Sequence, residues 1–202
     1  MSDRTEFGRL LATHFSVTGK VSEPQVDLLW QHYELLVRWN RVVNLTGISR
    51  LEEALMRHYC ESLFVALHLP AEPVSVLDVG SGAGFPGVPM AIYRPDCLVT
   101  LTESHQRKAA FLREATRSLP NVRVVAKRAE SITETFDWVV SRAVPWEQLR
   151  RRAAWLGRTV GLLLSLSDAQ RVRVSEEWRW QAPVPVPWSR TGVLLLGSLR
   201  FT

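Results

Sequence analysis

Apolar residues recur at helical spacing through the first seventy positions. Val26, Leu29, Trp30, Tyr33, Leu36 and Val37 fall on one helical face, and Ser22-Glu23-Pro24 supplies an N-cap residue with a proline in the first turn. A turn at 44–49 separates this helix from a second, expected over about 51–67, and Pro70 and Pro73 mark a boundary. Beyond residue 74 the pattern changes to short apolar runs alternating with helical stretches. Strands are expected at 74–79, 98–101, 122–126, 136–140 and 159–166. Helices fit between them: one ending at Tyr93, one over 105–119 with Ala109, Leu112, Ala115 and Leu119 on a single face, and one opened by Pro145. Two further β-rich runs, 178–186 and 193–199, flank a turn-like connection and predict an antiparallel pair. Pro183, Pro185 and Pro187 confine the first of these to a sheet edge or to non-strand. The expected fold is α/β: a mostly parallel, doubly wound sheet with a C-terminal antiparallel strand over 71–202, preceded by an N-terminal helical cap over 1–70. Ligands of such sheets bind at the carboxyl ends of the strands.

With 202 residues, 46% hydrophobic and 22% charged, the chain can bury a core, which excludes a disordered or collagenous protein. Two cysteines, Cys60 and Cys97, are too few for a disulfide framework or a metal knuckle, so a reducing compartment and no metal are expected. The charged start from Met1 to Glu6 does not read as a signal peptide, and the apolar stretch 160–166 is far short of the ~20 residues that cross a bilayer. A cytoplasmic protein without membrane partners is expected; oligomeric state is open, with a monomer favoured. The net charge is +5, and residues 146–202 hold 9 basic against 4 acidic side chains while the rest nearly balances. Of 25 basic residues 22 are Arg, whose forks suit phosphates and base edges. A GC-rich genome also raises the Arg share, but it does not explain where the excess sits.

The most informative stretch runs Asp78-Val79-Gly80-Ser81-Gly82-Ala83-Gly84-Phe85-Pro86-Gly87, at the tip of the first expected strand. Residues 82–87 satisfy G-x-G-x-x-G, which admits a dinucleotide-dependent oxidoreductase. Asp78 speaks against it: a carboxylate there would repel a pyrophosphate but suits the cationic amino acid end of S-adenosylmethionine. The chain also leaves no room for a second catalytic domain. D-x-G-x-G-x-G is the loop of Rossmann-like methyltransferases, and Gly80 and Gly82 let its backbone approach the ligand. Glu103, ending the second strand, can accept from both ribose hydroxyls, or it can serve as a charge at a helix N-terminus. The third strand leads into Lys127-Arg128-Ala129-Glu130, where the Ala129 amide and Glu130 could read the adenine edge.

The residues after the fourth strand narrow the reaction. Amine methylation commonly uses an Asn/Asp-Pro-Pro-aromatic tetrapeptide, and pyrimidine C5 methylation a nearby cysteine nucleophile. Here the chain reads Val139-Val140-Ser141-Arg142-Ala143. Arg142 cannot act as a base; its fork fits a guanine O6, a carboxylate or a buried ion pair. An acceptor that needs no base is guanine N7, which carries a lone pair and no proton. The protein then contributes alignment and exclusion of water.

Four segments together, Trp39-Asn40-x-x-x-Asn44-Leu45-Thr46, Arg57-His58-x-x-Glu61-Ser62, the Asp78–Gly87 loop and Ser141-Arg142-Ala143, resemble the glucose-inhibited division protein B family. Its members are 16S ribosomal RNA guanine-N7 methyltransferases, and the likeness covers about residues 25–150. The resemblance implies a Rossmann-like class I methyltransferase with a helical cap, S-adenosylmethionine as cofactor, and small-subunit ribosomal RNA or the assembling small subunit as partner. Carried over by position, cofactor contacts fall at Gly80, Phe85, Ala129, Glu130 and Arg142. The chain departs from the family at Glu61, commonly Asp, and at Leu164-Ser165-Leu166-Ser167, where a Lys-Gly pair is usual.

Lesser features carry two readings each. Arg57 and Glu61 are spaced to pair on a helix, or Arg57 and His58 face the cofactor loop or RNA. The run Arg150-Arg151-Arg152 is either a solvated helix face or a set of phosphate contacts. Trp178, Trp180 and Trp188 suit packing more than base stacking. The alternatives to a ribosomal RNA methyltransferase are a small-molecule methyltransferase and a non-catalytic RNA-binding assembly factor with a vestigial cofactor pocket.

Overall fold

The structure, a computed structural model, describes residues 3–16, 18–142 and 144–200. Helix α1 (Arg4–Phe15) begins at Asp3, whose carboxylate accepts the Glu6 N–H at 2.7 Å. In α2 (Glu23–Asn40) the Gln25 carbonyl reaches back to the Ser22 N–H at 2.9 Å, completing the start expected from Ser22 and Pro24. The Gln25 amide also donates to the Ile92 and Tyr93 carbonyls, tying the cap to the sheet domain. The expected second helix is α3 (Leu51–Ala54) and α4 (Glu61–Leu67), joined without a break by a π-helical turn, Leu55–Cys60, that carries Arg57 and His58. Such widened turns cluster at functional sites.

The sheet domain comprises, in chain order, β1 (Ser75–Val79), α5 (Gly87–Tyr93), β2 (Leu98–Thr102), α6 (Gln106–Ala115), β3 (Val122–Val125), β4 (Phe136–Arg142), α7 (Trp146–Leu156), β5 (Gly157–Ser165), α8 (Leu166–Val172), β6 (Trp178–Trp180), β7 (Val184–Pro185) and β8 (Gly192–Leu199). The strand order is β3-β2-β1-β4-β5-β8-β6, with β7 also on β8. Strands β1 to β5 run parallel, and β8 inserts antiparallel between β5 and β6. The order reverses beside β1, where β2 and β4 flank it, and the crevice of a doubly wound sheet opens there. Two details differ from expectation. The run 178–186 breaks into β6 and β7 around Pro183, which has no N–H to give a ladder. Leu166, expected to end a strand, instead starts α8, and Ser165, the last residue of β5, caps it: the Ser165 hydroxyl accepts the Asp168 N–H at 3.1 Å. Among the described residues no helix is long and apolar enough to cross a membrane.

Each strand sorts its side chains by the two-residue period of a pleated sheet. Val76 and Val140 face the core built with α1, α2, α4, α5 and α6, whereas Leu77, Val79 and Val139 face α7 and α8. That first core runs continuously from Phe7, Leu11 and Leu29 of the cap to Val76 and Leu101 of the sheet. Trp178 is buried and packs edge-on against Trp146, while Trp188 lies against Phe15 and Phe64, so these tryptophans serve packing.

Candidate functional site

The loop after β1 holds Gly80, Gly82 and Gly84 at positive φ, a region that glycine adopts freely. A Cβ on Gly80 would also come within 2.6 Å of Val144 Cγ2. Asp78 corrects the reading that placed its carboxylate beside a ligand. It shares a face of β1 with Val76, so it points under the loop toward α5 and is fully buried, with Oδ2 accepting the Gly87 N–H at 3.0 Å. Its Oδ1 is buried without a hydrogen-bond partner among the described residues. Burial pushes its pKa up to about 7, the Gly87 amide opposing and the Glu103 charge adding to the rise. The loop's other anchor is Glu103: Oε2 accepts the Gly82 N–H at 3.1 Å and Oε1 the His105 N–H at 2.7 Å. Glu103 thus holds the backbone just before α6, and it also lines a cavity of about 300 Å3 together with Gly80, Ala129, Glu130 and Leu149.

A larger cavity, about 680 Å3, opens on the other side of Val144, which lines both. Its walls include Arg57, Glu61, Arg142, Trp146 and Arg171. Arg142 ends β4 on the same face as Val140 and therefore turns toward the cap. Its Nη1 donates to His58 Nδ1 at 3.0 Å, and its Nη2 lies 3.5 Å from Glu61 Oε2. An arginine has no acceptor, so His58 carries its proton on Nε2, which donates to Thr46 Oγ1 at 2.8 Å. Asn40 organises the turn that presents Thr46, accepting the Leu45 and Thr46 N–H groups and donating to the Thr46 carbonyl. Burial and the Arg142 charge push the His58 pKa down to about 3. Burial lowers the Arg142 guanidinium, against the pull of Glu61. The Glu61 carboxyl is raised by burial and drawn back by Arg142 and Arg57. The Arg57–Glu61 pair offered by the spacing does not form: Arg57 lies 3.7 Å from Glu53, four residues before it, and Glu61 pairs with Arg142.

A family model described as rRNA small subunit methyltransferase G, GidB, matches residues 25–172. The chain belongs to the GidB family. The ribosomal RNA small subunit methyltransferase G of Chromobacterium violaceum is 44% identical over 128 residues, covering 61% of each chain. The protein of the same name from Lactococcus lactis subsp. lactis is 36% identical over 169 residues, 78% of this chain and 70% of the relative. The first three GidB relatives are matched over only 55–61% of their own length. Among solved structures, the magnesium protoporphyrin IX methyltransferase of Synechocystis, with bound SAM, aligns with a TM-score of 0.63 at 15% identity over 91% of this chain and all of that one. The ribosomal protein L11 methylase of Lactobacillus delbrueckii subsp. bulgaricus aligns at 0.60 and 11% identity over 72% and 80%. At such identities these two establish the fold, a Rossmann-like class I methyltransferase sheet.

Within this GidB chain, Gly80, Glu103, Ala129 and Glu130 come together on the smaller cavity, and Gly82 is bound to Glu103 beside it. Phe85 is buried and turned into the cap: its ring stacks on His58 at 4.6 Å and meets His32 and Tyr59 edge-on. Arg142 lines the larger cavity, with the half-exposed Arg57 at its rim, while His58 is buried with both ring nitrogens engaged. Arg150 and Arg151 lie on α7, Arg150 beside Glu147 at 3.5 Å. Ala143 of the Ser-Arg-Ala motif lies outside the described residues. Sequence reasoning missed His32 and misread Arg152, taken with its neighbours as solvated or phosphate-binding but turned inward onto backbone carbonyls. His32 donates from Nε2 to the Ala83 carbonyl at 3.1 Å and accepts at Nδ1 from the Tyr59 hydroxyl at 2.8 Å, holding the glycine loop from α2. Its signal was a polar residue on the buried stripe with Leu29, Tyr33 and Leu36. Arg152 binds the Ala129 and Ile132 carbonyls, fixing the short 3-10 turn Ala129–Ser131 over the smaller cavity.

Proposed function

We propose that this protein transfers a methyl group from S-adenosylmethionine to N7 of a guanine in small-subunit (16S) ribosomal RNA. The observation that carries the reading is two cavities of different character meeting at Val144, on the carboxyl side of the switch point. The smaller fits the adenosine of the cofactor. Gly80 leaves its backbone open at the floor, each Glu103 oxygen keeps a lone pair beyond the amide it accepts, and Val79, Ala129 and Leu149 supply apolar walls. When bound, S-adenosylmethionine supplies an electrophilic methyl group on a sulfonium.

The chain's own part is holding and aligning. Gly80, Gly82, Glu103, Ala129 and Glu130 contact the cofactor, while His32, Phe85 and Arg152 keep the loop and the turn above it in place. Arg142, fixed by His58 and Glu61, presents guanidinium donors to the larger cavity. Guanine N7 needs no proton removed, and neither Cys60 nor Cys97, both buried and in the walls of neither cavity, is placed to serve as the nucleophile of cytosine or uracil C5 chemistry. His58 works as a positioning residue for Arg142, and RNA phosphates are met by Arg57, Arg150 and Arg151. The buried free thiols Cys60 and Cys97 suit the reducing cytoplasm in which ribosomal RNA is modified.

Calorimetric titration with S-adenosylmethionine and with NAD, followed by transfer of labelled methyl to 16S ribosomal RNA, tests the reading. Binding of S-adenosylmethionine alone and label in 7-methylguanosine support it. Binding of NAD alone overturns it. Salt-sensitive RNA binding without transfer would indicate an assembly factor, and S-adenosylmethionine binding with neither RNA affinity nor transfer to RNA a small-molecule methyltransferase.

A further inference from the structure

The larger cavity contains a charged pair whose bonding capacity is only partly used. Glu61 and Arg142 are both largely buried, with side chains 11% and 19% exposed, and both line that cavity. Among the described residues, Arg142 is the cation paired with Glu61, and at 3.5 Å it leaves most of the carboxylate's lone pairs free. Arg142 commits one N–H to His58 and keeps others for a ligand. A carboxylate only accepts and a guanidinium only donates, so the two present a fixed acceptor–donor pattern. The His58–Thr46–Asn40 chain holds Arg142 in place before any ligand arrives.

A guanine edge carries the complement, the O6 acceptor next to the N1–H donor. Adenine carries the reverse, a donating amino group next to an accepting N1. Resting on the function proposed above, we propose that Arg142 and Glu61 together read the target base, Arg142 donating to O6 and Glu61 accepting from N1–H. Glu61 is then the residue that determines specificity for guanine. N7 adjoins O6 on the ring, so a base gripped at O6 and N1–H keeps its nucleophilic nitrogen uncovered.

The test measures binding of free nucleotides to the full chain, independently of methyl transfer. GMP and IMP share O6 and N1–H; O6-methyl-GMP lacks the N1–H and has its O6 blocked. The intact protein is expected to favour GMP and IMP over O6-methyl-GMP by about five- to 150-fold. In Glu61→Gln, whose amide can donate as well as accept, that ratio falls to the part that Arg142 supplies at O6; in Glu61→Asp, which only accepts, the ratio persists even if all three bind more weakly. A purely structural Glu61 would shift the three affinities alike. No discrimination by the intact protein, no GMP binding at millimolar concentration, or an unchanged ratio in Glu61→Gln overturns the proposal. A protein that reads GMP in this way yet methylates no ribosomal RNA keeps the pair and loses the proposed function. One that methylates guanine with the Glu61→Gln ratio unchanged does the opposite.

Discussion

Two buried imidazoles make the cap's grip on the glycine loop sensitive to acid. His32 titrates near 4 in the folded chain, lowered by burial, and His58 near 3, against about 6.5 unfolded. The unfolded chain therefore takes up protons first as pH falls. Stability from these rings is complete above about pH 6.5 and is lost on acidification until the folded values are reached, at about 1.36 kcal/mol per unit and per ring. Between pH 7.5 and 5.0 each ring should cost about 2 kcal/mol. Asp78 works in the opposite sense: raised to about 7, it binds a proton in the folded chain first and adds stability over the same range. The total pH dependence mixes signs, so the readable quantity is a difference between proteins. His32→Gln keeps an amide to donate to Ala83 and a carbonyl to accept from Tyr59, without a titrating ring. Urea denaturation at both pH values should show the variant losing about 2 kcal/mol less than the parent on acidification. Equal losses would refute the view of His32 as a neutral clamp.

Gly80→Ala forces a side chain onto φ +74° and within 2.6 Å of Val144, so a stability loss of about 1–2 kcal/mol or more and a weakened S-adenosylmethionine affinity are expected by calorimetry. Arg142→Ala should lower methyl transfer by about 100-fold while the chain stays folded by circular dichroism, and Arg142→Lys should not restore it, since an ammonium cannot span His58 and Glu61 as a fork does. Replacing Arg150 and Arg151 by Ala should reduce the salt dependence of RNA binding by a slope of about one per lost phosphate contact, leaving S-adenosylmethionine affinity unchanged.

Much of this was legible because it depends on local pattern. The apolar runs of β1 and β4, the glycines after β1 and the alternation with α5, α6 and α7 are properties of consecutive residues. The direction of Asp78 was misread because the loop motif was weighed without the pleat: its parity with Val76 assigns it to the α5 face. The same parity, from Val140, turns Arg142 toward the cap. The π-turn at Leu55–Cys60 was not legible, since apolar residues on both sides of it remain buried and hide the change of phase. Nor was the pairing of Glu61 with Arg142, at the end of β4, in place of Arg57. Partnerships across long separations, His32 with Ala83 or Arg152 with Ile132, exist only once the chain has folded.

The most direct measurement is nucleoside mass mapping of 16S ribosomal RNA from cells that carry or lack this protein. One guanine should carry an N7 methyl group only when the protein is present, and the modification should return with the intact chain but not with Arg142→Ala. An identical set of modified bases in both strains, or a methyl group lost from an amine or a carbon instead of N7, would contradict it.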